Sequence, residues 1–96
     1  MKHVYTTLSF HDGNVVFEAT AVDLTGGGVN RTTATLGATP ERASIMYCLL
    51  HASNLYERKG FTIFMSDALS AATSEGAPAT IDAEFINAHS DLSNYD

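Results

Sequence analysis

The stretch "HVYTTLSFHDGNVVF", residues 3 to 17, decides the fold. Its first half alternates. Val4, Thr6, Leu8 and Phe10 point one way, and His3, Tyr5, Thr7 and Ser9 the other, as in a half-buried strand. Asp12-Gly13 then supplies a residue pair that tolerates the two positive φ angles of a type I′ turn. A two-residue turn there sets His11 opposite Asn14, Phe10 opposite Val15, Leu8 opposite Phe17, Thr6 opposite Ala19 and Val4 opposite Ala21. The last four pairs all put apolar or small residues on one face. Turn chemistry and hydrophobic pattern therefore agree on a hairpin.

Outward from this hairpin, a second strand is predicted from about Asn14 to Leu24 and a third from about Val29 to Leu36, joined through "TGGG", residues 25 to 28. With Gly26-Gly27 as the turn, Phe17 faces Leu36, Ala19 faces Ala34 and Ala21 faces Thr32. The glycines lead into the β-branched "VNRTTATL" rather than into a helix, and no GxGxxG or GK[ST] pattern occurs. The segment therefore does not read as a phosphate loop.

"GATPERASIMYCLLHASNLYERKG" is the clearest helix. Thr39 suits the N-cap, Pro40 the first helical position, and Glu41 the positive end of the dipole. Ile45, Met46, Leu49, Leu50, Ala52, Ser53 and Tyr56 form the expected buried stripe. Arg58, Lys59 and Gly60 end the helix, which is expected to cross the sheet face bearing Leu8, Phe10, Phe17 and Leu36. Phe61 to Met65 lacks polar alternation and reads as a strand covered, at least in part, on both sides. A short helix runs from Ser66 or Asp67 to about Glu75, before Gly76 and Pro78. In the tail, residues 77 to 96, Ile81, Phe85, Ala88 and Leu92 fit a helix while Ala79, Ile81, Ala83 and Phe85 fit an edge strand, and of the two a helix from Asp82 to His89 is preferred. The expected architecture is one α+β domain over residues 1–96. It is a three-stranded antiparallel meander, a long helix packed on one face and a fourth strand (βββαβ), then short C-terminal helices.

Composition narrows the function. Eleven acidic against five basic residues give a net charge of −6. This argues against direct nucleic-acid binding, which needs clustered Lys and Arg, and favours a protein partner with a basic surface. The single cysteine, Cys48, forms no internal disulfide. "MKHVYTTLSF" lacks the apolar core of a signal peptide, and no run reaches the length of a membrane span, so a cytoplasmic location is expected.

Four histidines, His3, His11, His51 and His89, are too scattered for a local zinc pattern, and neither a metal nor a cofactor is expected. Cys48 lies one turn before His51 but in mid-helix, away from the electropositive settings that activate a thiol, and it reads as a half-buried packing residue. Asp67, at the tip of the fourth strand, has no partner carboxylate on the first strand and reads as a helix cap beside Ser66. No catalytic residues are assigned.

Three antiparallel strands, a long helix and a strand ending in "SD" resemble the first half of the ribonuclease H-like fold. "VYTT" stands where that family ends a strand in its first catalytic Asp, and here the position is Thr7. The helix "PERASIMYCLLHAS" has Ser44 or Ile45 where the family carries a catalytic Glu. In "FMSDALSA" only Asp67 carries over, and the tail "HSDLSNYD" matches the final acidic segment faintly.

"SFHDGNVVFEATAV" and "LGATPERASIMYCLLHA" are also similar to the N-terminal domain of HicB-type antitoxins, a partial and catalytically dead ribonuclease H fold. That resemblance covers about residues 4 to 66, without the family's usual DNA-binding module, and implies a binding fold rather than a reaction. The expected function is a non-catalytic protein-binding inhibitor or antitoxin-like factor, of the kind encoded by phages and other mobile elements, anti-CRISPR-type counter-defence included. Candidate contact residues are Tyr5, Glu18, Asp23 and Arg31 on the sheet and Asp82, Glu84 and Asp91 in the tail. Two rivals are a metal-dependent nuclease using Asp67 and a homo-oligomeric small-ligand binder or scaffold in which the third or fourth strand pairs edge to edge.

Overall fold

The computed structural model describes residues 1–90. The elements in chain order are β1 (Lys2–His11), β2 (Asn14–Asp23), β3 (Gly28–Thr35), α1 (Arg42–Glu57), β4 (Thr62–Met65), α2 (Asp67–Thr73) and α3 (Ala83–His89). The result is an α+β fold with a four-stranded mixed sheet of order β3-β2-β1-β4. β1 and β2 are antiparallel, as are β2 and β3, while β4 runs parallel to β1.

The first hairpin has the register that its turn dictates. Phe10 opposes Val15, Leu8 opposes Phe17, Thr6 opposes Ala19 and Val4 opposes Ala21. Asp12 and Gly13 take φ values of 50° and 82°, the double positive φ of a type I′ turn. The second hairpin differs from expectation by two residues. Phe17 opposes Ala34 rather than Leu36, Ala19 opposes Thr32, and Ala21 opposes Asn30.

The cause is a four-residue loop, residues 24 to 27, in place of a two-residue turn. Asp23 Oδ1 accepts from the Thr25 N–H (3.0 Å) and from its hydroxyl (2.6 Å), closing an Asx turn at the end of β2. A shift of two leaves every side chain on its expected face. Beyond β3, Val15 donates to the Gly37 carbonyl (2.7 Å) and accepts from the Leu36 N–H (2.8 Å). Leu36 and Gly37 thus oppose one residue, a bulge that ends the ladder with Gly37 at φ 95°.

The core lies on one side of the sheet. Val4, Thr6 and Leu8 of β1 and Val15, Phe17, Ala19 and Ala21 of β2 are buried beneath Ile45, Ala52 and Tyr56 of α1, Ala68, Leu69 and Ala72 of α2, and Ile86 of α3. Thr6, the buried polar residue among them, donates its hydroxyl to the Phe64 carbonyl at 2.6 Å. Its own carbonyl accepts from the Ser66 N–H at 2.9 Å, so both groups tie β4 to β1. Phe10 escapes the core and is 37% exposed.

Three further expectations are corrected. Helix α1 starts at Arg42 with Glu41 as N-cap, not at Pro40 with Thr39 as cap. The reason is long-range pairing. The Pro40 carbonyl accepts from Ile81 N–H (2.9 Å), Arg42 N–H donates to Ala79 O (2.8 Å), and Glu41 bridges Thr80. Those bonds hold Glu41 extended at φ −69°, ψ 143°.

The buried stripe of α1 is narrower than expected, with Met46 and Leu50 exposed. β4 is not covered on both sides. It is an edge strand, and Phe64 on its outer face and Met65 on its inner face both remain about half exposed. Helix α2 stops at Thr73, where Arg42 Nη2 donates to the Thr73 carbonyl (3.2 Å). Helix α3 starts where expected, capped by Asp82. No helix among the described residues is long and apolar enough to cross a membrane.

Candidate functional site

With every helix on one side, strand alternation turns the other set of side chains outward, and no described element covers that face. The registers align it in rows. Phe64 lies beside Tyr5, Tyr5 beside Thr20, and Thr20 beside Arg31, one row across all four strands. The row above contains His3, Val22 and Val29 and the row below Thr7, Glu18 and Thr33.

At the β1/β4 end three rings stack. The centroid separations are 5.5 Å for Tyr5–Phe64, 5.3 Å for His3–Phe64 and 6.0 Å for His3–Tyr5, with interplanar angles of 18°, 26° and 13°. Tyr5 and Phe64 nevertheless stay 46% and 42% exposed. Rings that bury each other only partly keep apolar area available for a partner, and aromatic residues of this kind anchor protein interfaces. His3 Nδ1 is shielded from solvent and has no hydrogen-bond partner among the described residues. At the β2/β3 end Arg31 Nε lies 3.8 Å from Glu18 Oε1, an exposed contact that contributes little stability and leaves both groups free to exchange partners.

The candidate contacts from sequence divide accordingly. Tyr5, Glu18 and Arg31 share the uncovered face. Asp23 is engaged at the tip of the second hairpin, where its hydrogen bonds from Thr25 lower its pKa below the ordinary 3.8. Asp82 accepts from Phe85 N–H (2.9 Å) as the α3 cap, and Glu84 lies in the first turn of that helix. Both belong to the helical layer, away from the aromatic trio. Asp91 lies outside the described residues. Phe64 and His3 went unrecognised from sequence. The signal that could have found them is the parallel match of "TIFM" to "HVYT", which sets Phe64 beside Tyr5.

Asp67 is the first residue of α2 and is exposed, while Ser66 Oγ accepts the capping bond from Leu69 N–H (3.3 Å). The cap at this strand end is Ser66, and Asp67 adds a favourable charge to the first turn. Asp67 shares a narrow crevice of about 40 Å³ with Thr7 and His89. No group of three or more His, Cys, Asp or Glu residues placed to hold a metal ion occurs among the described residues.

Cys48 and His51 both line a groove between α1 and β3. Burial pushes the Cys48 thiol pKa above its ordinary 9.0, which suppresses the thiolate rather than generating it. Comparison with protein-family models, curated proteins and solved structures gave no significant match.

Proposed function

We propose that this chain is a non-catalytic protein-binding module, inhibitor-like or antitoxin-like, that docks through the uncovered face of its sheet. The observation that carries this reading is the stacked His3–Tyr5–Phe64 trio, its Tyr5 and Phe64 rings half exposed on a face that also bears Arg31 and Glu18. Tyr and Arg are the residue types that most often dominate binding energy when a partner excludes water from them. The strand order, with β4 parallel to β1 and Asp67 just beyond it, supports a ribonuclease H-like layout of the HicB-antitoxin kind in which the matching strand-end position is Thr7. The partner is a protein with a basic surface, attracted at long range by the overall charge of −6, whose excess acidic residues lie outside the docking face. Counter-defence proteins of phages and other mobile elements fall within this class.

The test is capture of the partner from the source cell, followed by calorimetry with wild type and with Tyr5→Ala/Phe64→Ala. The expected result is at least about a tenfold loss of affinity for the double variant at unchanged fold, from loss of anchor contacts. Affinity should also fall with rising salt. Undiminished binding by the double variant would overturn the docking face, and salt-insensitive binding would overturn the basic partner.

A further inference from the structure

We propose that the chain pairs with a second copy of itself through the outer edge of β3. This would extend the sheet to eight strands and close the groove between β3 and α1 in each copy.

The backbone comes first. Among the described residues β3 is an edge strand of eight residues, hydrogen-bonded only to β2, and it is exposed at every residue except Ala34. It contains neither proline nor lysine, the residues that most often blunt an edge. The opposite edge, β4, has only four residues. Of the two edges, β3 is the one long enough to template another strand.

The side chains agree. Helix α1 leaves the inner side of β3 uncovered, and the space between them is an apolar groove of about 140 Å³. Thr32 and Ala34 form its floor, and Tyr47, His51 and Leu55 form its wall at i, i+4 and i+8 on one flank of α1. Tyr47 and Leu55 are 71% and 43% exposed, although they sit beside the core. An antiparallel β3–β3 pair about a two-fold axis perpendicular to the sheet keeps both α1 helices on the same side. The two β2 strands would then stand about 14 Å apart, three strand spacings. That gap above the seam is one that large side chains such as Tyr47 and Leu55 can fill from both copies.

Charge and area permit a second copy as the occupant. Two chains of net charge −6 repel, but β3 carries no carboxylate and α1 only Glu57, its last residue. The acidic residues lie elsewhere, and the one charge on β3, Arg31, stands on the opposite sheet face beside Glu18, so the groove side approaches its twin with little repulsion. Eight residues give a strand seam about 26 Å long and one sheet layer thick, about 10 Å, which is about 260 Å² per copy. The facing groove walls above the seam, Tyr47, His51 and Leu55 from both copies, supply the remainder of the roughly 1,000 Å² total that a specific interface needs. The joined sheet would carry its two aromatic trios on one face about 30 Å apart, which makes the dimer bivalent if the docking reading above holds.

Light scattering and sedimentation over a micromolar concentration series test the pairing without any partner protein. Wild type is expected to show twice the 10.3 kDa chain mass. Tyr47→Asp/Leu55→Asp is expected to dissociate the dimer about a hundredfold more readily. Thr32→Lys, which places a charge in the groove from the strand side, should do the same and decides the matter if the helix variant fails to fold. Thr62→Asp, exposed on the opposite edge strand, should leave the dimer intact. A monomer at every concentration, a dimer indifferent to the groove variants, or a dimer lost with Thr62→Asp would each overturn the proposal.

Discussion

The two hairpins of this sheet share a strand and an alternation of side chains, yet they are built differently. The first turns on Asp12 and Gly13, both at positive φ, and pairs ten residues with ten. Its inner side lies beneath three helices, with Val4 and Val15 fully buried. The second turns through a four-residue loop held by the Asp23 carboxylate, and its outer strand, β3, is almost wholly exposed. Burial decides which side chains face inward, but it does not choose between registers that differ by two. That choice falls to the turn. Where Asp12-Gly13 admits one tight geometry, the choice is unique. Where a glycine run admits several, a side chain closing the loop selects one.

The largest expected contrast is in stability. Leu8→Ala in the covered hairpin should destabilise the protein by about 3 kcal/mol, the cost of a core cavity. Thr33→Ala on the bare strand should change stability by no more than about 0.5 kcal/mol. Urea denaturation of both variants checks this, and comparable costs would show that β3 is as deeply packed as β1.

A smaller effect tests the tight turn. Gly13→Ala should cost about 1–2 kcal/mol because its φ of 82° is unfavourable for an L side chain, although nothing lies within 4 Å of the new methyl group. The same measurement on Gly76→Ala, which needs no positive φ and also has open space, should show little change. Equal costs would mean that the first turn is not held as described.

The smallest effect is at the Asp23 loop. Hydrogen bonds from Thr25 depress the Asp23 pKa, so the carboxylate is favoured in the folded state. The stability this supplies is present above the unfolded value near 3.8 and is lost as pH falls through the lower folded value. A Cβ on residue 27 would lie 2.8 Å from Asp23 Oδ2, so Gly27→Ala should displace the carboxylate and return its pKa toward 3.8. Carboxyl-carbon NMR titration of wild type and variant reads this directly, and an unmoved titration would break the link between the loop and the register.

The same contrast runs through the candidate site. Tyr5, Glu18 and Arg31 were legible as outward residues because alternation is local and survives a shift of two. Phe64 was not, since its position beside Tyr5 depends on a parallel pairing formed only after the chain has crossed through α1. The exposed flank Tyr47–His51–Leu55 was hidden for a related reason. Helical spacing shows which residues share a flank, but not how far the helix reaches over the sheet. Asp82, a candidate contact from sequence, also serves as a cap through Oδ1, a role that the sequence pattern before α3 does not separate from an outward contact.

By itself, the sequence determined what neighbouring residues can settle: the face that each of β1, β2 and β3 turns inward, the turn at Asp12-Gly13, the start of α2 at Ser66-Asp67, and Gly60, at φ 86°, just after α1. Each depends on backbone preferences or on hydrogen bonds spanning a few residues. Tertiary structure alone decided that Pro40 to Arg42 pair with Ala79 to Ile81 and so delay the start of α1. It also decided that, among the described residues, β4 is a bare edge and β3 has no cover. Those outcomes come from backbone partners tens of residues apart competing for the same hydrogen bonds, and no local pattern encodes which pairing wins.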